Sequence, residues 1–256
     1  MGTTYDGLFF DYIERGALAS ARHVVGALAS LKIGSVLDVG CGRGAWLSEW
    51  ASRGVTAVVG ADGDYVDRKS LLINAENFHG LDITQRFDLK SRFDLVECLE
   101  VGEHISTECS PALVDNLTRH APIVMFSAAL PGQGGLQHIN EQPLSFWRKL
   151  FAERGYVPFD CVRPAVAGLR DVEPWYRYNI VLYVHADHTT DLPPAIAAHR
   201  VQDDQELTDY SSPAWRVRRM ILRQLPVPVV SLLAAIKHRA VLLSEGRPKL
   251  SSPVTT

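Results

Sequence analysis

The segment Val36-Leu37-Asp38-Val39-Gly40-Cys41-Gly42-Arg43-Gly44 constrains the fold of this chain more than any other. An apolar run passes directly into three alternating glycines, and Ala45 to Ser52 then reads as a helix. Glycine tolerates the positive φ that a tight strand-to-helix turn demands, and it lets a ligand approach the backbone closer than a side chain would allow. Asp62 closes the next apolar run. Strand, glycine turn, helix, strand and acid form the layout of an adenosine-cofactor site in an open α/β sheet.

The rest of the chain repeats that rhythm. A helix is expected from Ile13 to Leu31, with Gly34 just beyond its end. Strands are expected near Val55 to Ala61, Asn77 to Leu81, Phe93 to Leu99 and Pro122 to Ala128, with helices near Ala45 to Ser52, Tyr65 to Asn74 and Pro111 to His120. A helix from Leu144 to Arg154, a short strand at Tyr156 to Phe159 and a longer one from Arg177 to His185 follow. Strands alternating with helices predict a parallel sheet covered on both faces. Past His185 the proline-bearing stretch reads as a linker, which divides the chain into a catalytic domain at 1–186, a linker at 187–212 and a tail at 213–256.

A Gly-x-Gly turn alone also serves dinucleotide enzymes. Here the spacing is Gly-x-Gly-x-Gly, with Asp38 two residues ahead of the first glycine, and Asp82 and Ile83 stand at the end of a third strand. In this combination the sequence resembles the class I S-adenosylmethionine (SAM)-dependent methyltransferases over roughly residues 5 to 185. That resemblance implies an α/β, Rossmann-like, seven-stranded and mostly parallel sheet with its last strand antiparallel, here carrying a helical C-terminal extension. It also implies a division of labour in which Gly40 and Gly42 cradle the amino-acid part of SAM, Asp62 takes the ribose hydroxyls, and Asp82 with Ile83 faces adenine. Asp38 joins this set, and Tyr12 and Ser20 are further candidates in an amino-terminal segment suited to covering the cofactor. Trp46, one turn into a helix, reads as core.

The acceptor is expected where the fourth and fifth strands end, since ligands of open sheets lie at the carboxyl ends of the strands. Glu100, Glu103 and His104 form an E-x-x-E-H pattern there. Carboxylates with an imidazole can hold a divalent cation such as Mg²⁺. The pattern is similar to that of ubiquinone-pathway O-methyltransferases and of enzymes that methylate the terminal ribose of small RNAs, where it ligates a metal. In many other class I members the same segment only closes the cofactor pocket. The glycine-rich stretch from Ser127 to Glu141 carries His138, a candidate general base because an unperturbed imidazole titrates near neutral pH, with His104 as a second catalytic candidate. A hydroxyl acceptor needs such a base more than an amine does. The same stretch, followed by Phe146, Trp147 and Phe151, resembles methyltransferases of bacterial glycan and polysaccharide biosynthesis, among them mycobacterial enzymes acting on mannose oligosaccharides. A sugar or oligosaccharide O-methyltransferase is the expected function; a non-sugar hydroxyl or amine is the alternative acceptor. A nicotinamide oxidoreductase and an inactive SAM-binding subunit stay open as rivals.

Charge separates the tail from the rest. Residues 213–256 carry a net +7 and residues 1–212 about −10. The tail is expected to form basic, amphipathic helix that docks on the catalytic domain, pairs with a second copy, or lies on an anionic membrane surface. No aromatic and basic interleaving over the catalytic domain points to nucleic acid. Four cysteines without CxxC spacing, and an amino terminus without a basic segment followed by an apolar one, are read as a cytoplasmic location, with the inner membrane face as an extension of it.

Overall fold

The computed structural model describes residues 7–226 and 229–236, with side chains from residue 14 onward. Helix α1 (Gly7–Ala27) leads into β1 (Ser35–Val39), and α2 (Ala45–Ser52) leads into β2 (Ala57–Asp62). The strands β3 (Phe78–Gly80) and β4 (Leu95–Leu99) precede α3 (Ser110–His120), β5 (Ile123–Ser127) and α4 (Leu144–Ala152). Then come β6 (Tyr156–Phe159), α5 (Val162–Val166), α6 (Pro174–Asn179), β7 (Val181–His185), α7 (Pro194–Ala197) and α8 (Pro213–Leu222).

The seven strands form one sheet in the order β3-β2-β1-β4-β5-β7-β6. β1 to β5 run parallel, and β7 lies antiparallel to both β5 and β6. Their apolar side chains divide by alternation. Val36, Leu95 and Met125 pack beneath α1 and α2 with Val24, Leu28 and Leu47, while Leu37, Val96 and Phe126 face α3 and α4 with Leu117, Trp147 and Phe151. Burial on both faces is why β4 is enclosed along its whole length, and why its sequence is a run rather than an alternation.

Three expectations differ from the structure. Tyr65 to Asn74 holds only a short 3-10 turn at Arg68–Ser70, because the Asp67 carboxylate accepts from the Lys69 amide and competes with continued helix. This stretch supports the glycine turn instead: Leu72 donates its amide to the Arg43 carbonyl. The last strand starts only at Val181, since Pro174 opens helix α6 over Arg177 to Asn179.

The stretch 187–212 differs too, being packed rather than free. Ile196 is buried, Arg200 bridges to Phe159, and Val201 donates to the Pro158 carbonyl, so the segment straps the β6 edge. Arg163, fully buried, donates to both Asp160 oxygens at 2.8 and 2.7 Å and to the Thr208 carbonyl at 2.9 Å. Arg148 holds the Gln202 and Gln205 carbonyls from outside. Residues 237–256 of the expected tail lie outside the described residues.

Candidate active site

Gly40, Gly42 and Gly44 all adopt positive φ, at 86°, 53° and 85°. A Cβ on Gly40 would collide with the Val101 side chain; one on Gly42 would meet nothing within 4 Å. The turn therefore packs tightly at its base and is open at its middle, as a backbone cradle for a ligand requires. Asp62, at the end of β2 and almost fully buried, spans the turn: Oδ2 accepts from the Gly42 amide at 2.7 Å, and Oδ1 accepts from the Gly63 amide at 2.7 Å and the Tyr65 hydroxyl at 2.5 Å. Two carboxylate oxygens offer about four lone-pair sites, so Asp62 keeps room for a ligand hydroxyl, and the exposed Tyr65 can yield another.

Beneath the turn, Asp38 of β1 lies in register with Glu97 of β4. Both are buried. Burial, then Glu97 and Asp62, hold the Asp38 carboxyl well above the usual range, and burial pushes Glu97 up to about 8 despite the Trp50 indole that donates to it at 2.9 Å. Asp82 lies two residues beyond β3 and is exposed, accepting from the Thr84 amide at 2.9 Å and the Thr84 hydroxyl at 2.6 Å, with Ile83 half-buried beside it. Ser20 is buried; its hydroxyl donates to the Gly16 carbonyl and accepts from the Glu173 amide, so it clasps α1 to the start of α6. Tyr12 lies on α1 with its side chain outside the described residues. Trp46 is core, edge-on to the buried Tyr176 at 5.0 Å.

Beyond β4 and β5 the polar residues sort into two groups. Glu100, in the left-handed region at φ 56°, accepts from Gln133 Nε2 at 2.8 Å and Asn179 Nδ2 at 3.2 Å. Asn179 also donates to Gln133 Oε1, which closes a buried amide triangle on the Glu100 carboxyl. The second group gathers one ligand atom each from Glu103, His104 and His138 within 4.8 Å of one another. Glu100, expected to belong here, does not, because its oxygens are engaged by the two amides.

Glu103 is buried and its Oε2 has no hydrogen-bond partner; burial, then the neighbouring Glu100, hold its carboxyl well above the usual range. Part of the His104 ring reaches solvent, yet burial of the remainder and the nearby His138 lower its pKa to about 4. The two imidazoles meet edge-on at 5.0 Å.

His138 has a partner that the sequence reading missed. Its Nδ1 lies 3.0 Å from Glu141 Oε1, and Glu141 is itself fixed by the amides of Gly132 and Gly134 at 2.7 and 2.6 Å. Burial acts against that carboxylate, but the His138 hydrogen bond and the two amides outweigh it and lower its pKa. The signal was present as an acid three residues after the histidine. Asn140 anchors the same loop, donating to the Gly102 carbonyl and the Ser110 hydroxyl.

Helix α8 lies against this loop. Arg218 donates to the Gln133 carbonyl at 2.7 Å, Arg219 reaches the Pro131 carbonyl at 3.5 Å, and the Arg219 backbone leaves no space for a side chain at position 132. A cleft runs between the two, with Gly135, His138 and Glu141 on one side and Leu222, Arg223 and Ser231 on the other.

No curated protein sequence matches the chain. Among solved structures, DesVI of Streptomyces venezuelae is 16% identical with a TM-score of 0.51, over 69% of this chain and 96% of its own. The sugar N-methyltransferase KedS8 from a Streptoalloteichus species is 18% identical with a TM-score of 0.53, over 72% and 95%. The methyltransferase domain of the bacterial protein CtHen1-C is 19% identical with a TM-score of 0.51, over 66% and 98%. These likenesses carry the fold. Residues 10–159 match the model of the family described as "Methyltransferase domain", and with the glycine cradle and Asp62 as laid out above the chain belongs to that family as a SAM-dependent methyltransferase.

Proposed function

We propose that this protein transfers a methyl group to a hydroxyl of a sugar or oligosaccharide, with His138 as the general base. The observation that carries the reading is the Glu141–His138 pair in the loop beyond β5. A carboxylate that accepts from Nδ1–H leaves Nε2 free to take a proton, the arrangement by which a base is oriented by a third group. Gly40 and Gly42 form the cradle for the amino-acid part of the cofactor, Asp62 accepts from its ribose hydroxyls, and Asp82 with Ile83 borders its adenine. When bound, SAM supplies an electrophilic methyl group on a sulfonium. The work of the loop residues is to align the acceptor and remove its proton as the new bond forms. Polar side chains at the strand ends suit a sugar's hydroxyls, and the likeness to a sugar N-methyltransferase supports a sugar acceptor while keeping an amine as the alternative nucleophile.

The test is His138→Ala. Turnover, read as S-adenosylhomocysteine released with a panel of mono- and oligosaccharides, is expected to fall roughly 10²-fold or more, the scale of a lost general base. SAM affinity by calorimetry is expected to stay within a few-fold. Unchanged turnover removes His138 from the mechanism.

A second reading, metal assistance, rests on the grouping of Glu103, His104 and His138 and on the unpartnered Glu103 oxygen. Two imidazoles and a carboxylate fit a divalent cation, and Glu141 then takes the outer place behind a ligating histidine. The imidazole share fits a first-row transition ion better than the Mg²⁺ expected from the E-x-x-E-H pattern. Such an ion would lower the pKa of a bound hydroxyl, with Glu103, His104 and His138 as its holders. Activity is then expected to vanish in chelator and to return with a transition metal ahead of Mg²⁺; full activity in chelator ends this reading.

A further inference from the structure

The cleft between the loop beyond β5 and the C-terminal segments has two unlike walls. The loop supplies Gly135, His138 and Glu141, and the helical residues opposite supply Leu222, Arg223, Val230 and Ser231. Its volume is about 170 Å³. Pockets that enclose a whole drug-sized ligand run to about 300–1,000 Å³, so this one takes one end of a larger acceptor. His138 belongs to its wall, and a Cβ on Gly135 would collide with His138 Nε2, so glycine there keeps the proton-accepting edge of the ring clear of a side chain.

Charge around this cleft is unbalanced. Glu141 is the acid in its lining, and its oxygens already accept from the Gly132 and Gly134 amides and meet His138. On the helical side, Arg216 and Arg219 each lie 3.7 Å from Asp209, which answers their charge. Among the described residues, Arg218 and Arg223 have no carboxylate within ion-pair distance. Arg223 is exposed and lines the cleft directly. Arg218 is half-buried over the Trp215 ring at 4.8 Å, and its Nη1 is engaged by the Gln133 carbonyl. A guanidinium has five N–H donors, so most of those on Arg218 stay available. Burial pulls this guanidinium below its usual range, and the charge on Glu141 opposes the shift from beyond hydrogen-bond reach. A partly desolvated cation with spare donors is half of an ion pair, and an anionic oxygen group completes it.

We propose that this cleft is an anion subsite, and that the acceptor is a sugar bearing a phosphate or carboxylate that Arg223 binds, with Arg218 as the supporting cation. Arginine suits both groups because its planar fork meets two oxygens at once. The subsite adjoins His138, so holding the anionic end there positions a neighbouring hydroxyl for the base. Residues 1–212 carry about −10, a field that repels anions, so the preference for a charged acceptor falls to these local cations. The sugar part of this class rests on the sugar reading above; the anion subsite does not.

The full chain is assayed with a hexose, a hexose 6-phosphate and a hexuronate, read as S-adenosylhomocysteine released. At least one charged sugar is expected to exceed the neutral hexose about tenfold or more in kcat/KM, and which one does so identifies the group as phosphate or carboxylate. Arg223→Gln, at an exposed position, is expected to keep the parental Tm and SAM affinity and to remove that advantage through KM. Calorimetry of the same sugars on the S-adenosylhomocysteine-loaded protein reads the subsite apart from turnover: a charged sugar is expected to bind, about tenfold or more weakly after Arg223→Gln, and more weakly in added NaCl. Equal use of neutral and charged sugars overturns the anion subsite. So does the absence of anion binding, or anion binding that Arg223→Gln leaves unchanged. Turnover of none of the three, with anion binding that depends on Arg223, counts against the sugar reading alone.

Discussion

Glu97 and Asp38 bring two carboxyls together between strands β1 and β4, both out of solvent, with one Glu97 oxygen lacking any partner. A carboxyl raised to about 8 is protonated in the folded chain while its unfolded counterpart ionises near 4.5. The stability this gives is fully present below the unfolded value and is lost as pH rises through the folded one. Glu97→Gln keeps an acceptor for Trp50 and removes the ionisation. Thermal unfolding should therefore give the variant a higher Tm than the parent at pH about 8 and a similar one at pH about 5, by the same linkage; a parallel pH profile in both proteins contradicts the assignment. At this scale the sequence was readable for position where a residue closes an apolar strand run, as Asp62 closes β2. It was opaque where a side chain's partner comes from elsewhere in the chain: Glu100 seemed free to ligate a metal, but Gln133 and Asn179, 33 and 79 residues away, had already engaged it.

The glycine turn is an element whose strain is distributed unequally. Gly40 is constrained twice, by a φ of 86° and by the Val101 side chain where a Cβ would go, whereas Gly42 is constrained by conformation alone. Gly40→Ala should thus cost on the order of 2–4 kcal/mol through overpacking and the disfavoured φ together, and weaken SAM binding. Gly42→Ala should cost nearer 1 kcal/mol, with its main effect on SAM affinity. Chemical denaturation and calorimetry on both variants separate these terms; equal stability losses would contradict the packing argument. The alternation of strands with helices was legible because each strand is a short apolar run flanked by turn residues. The helix expected at Tyr65 to Asn74 failed because Asp67 and Asn74 side chains accept from nearby amides and divide the segment into short turns.

For the whole molecule, the strap at 187–212 is what joins the body to α8. Its hub is the fully buried Arg163, which ties Asp160 of the sheet edge to the Thr208 carbonyl. Arg163→Met leaves Asp160 and that carbonyl without their cation, and breaking one side of a buried pair costs roughly 3–5 kcal/mol. Denaturant unfolding should register that loss, and limited proteolysis should find new cleavage within 187–212; retention of parental stability and protection would show the strap held by other contacts. Proline-rich composition suggested loose chain here because composition does not register burial of Ile196 or pairing at Arg200.

The strap also has a colloidal consequence. An open sheet ends in two strands whose unpaired amides and carbonyls can recruit another chain. Here β3 is only three residues long, and β6 carries Pro158 and is covered by 199–201: the Val201 amide donates to the Pro158 carbonyl, and the His199 carbonyl accepts from the Asp160 amide just beyond the strand. Neither rim offers a template for cross-molecular strand addition, so the sheet is insulated from that route to aggregation.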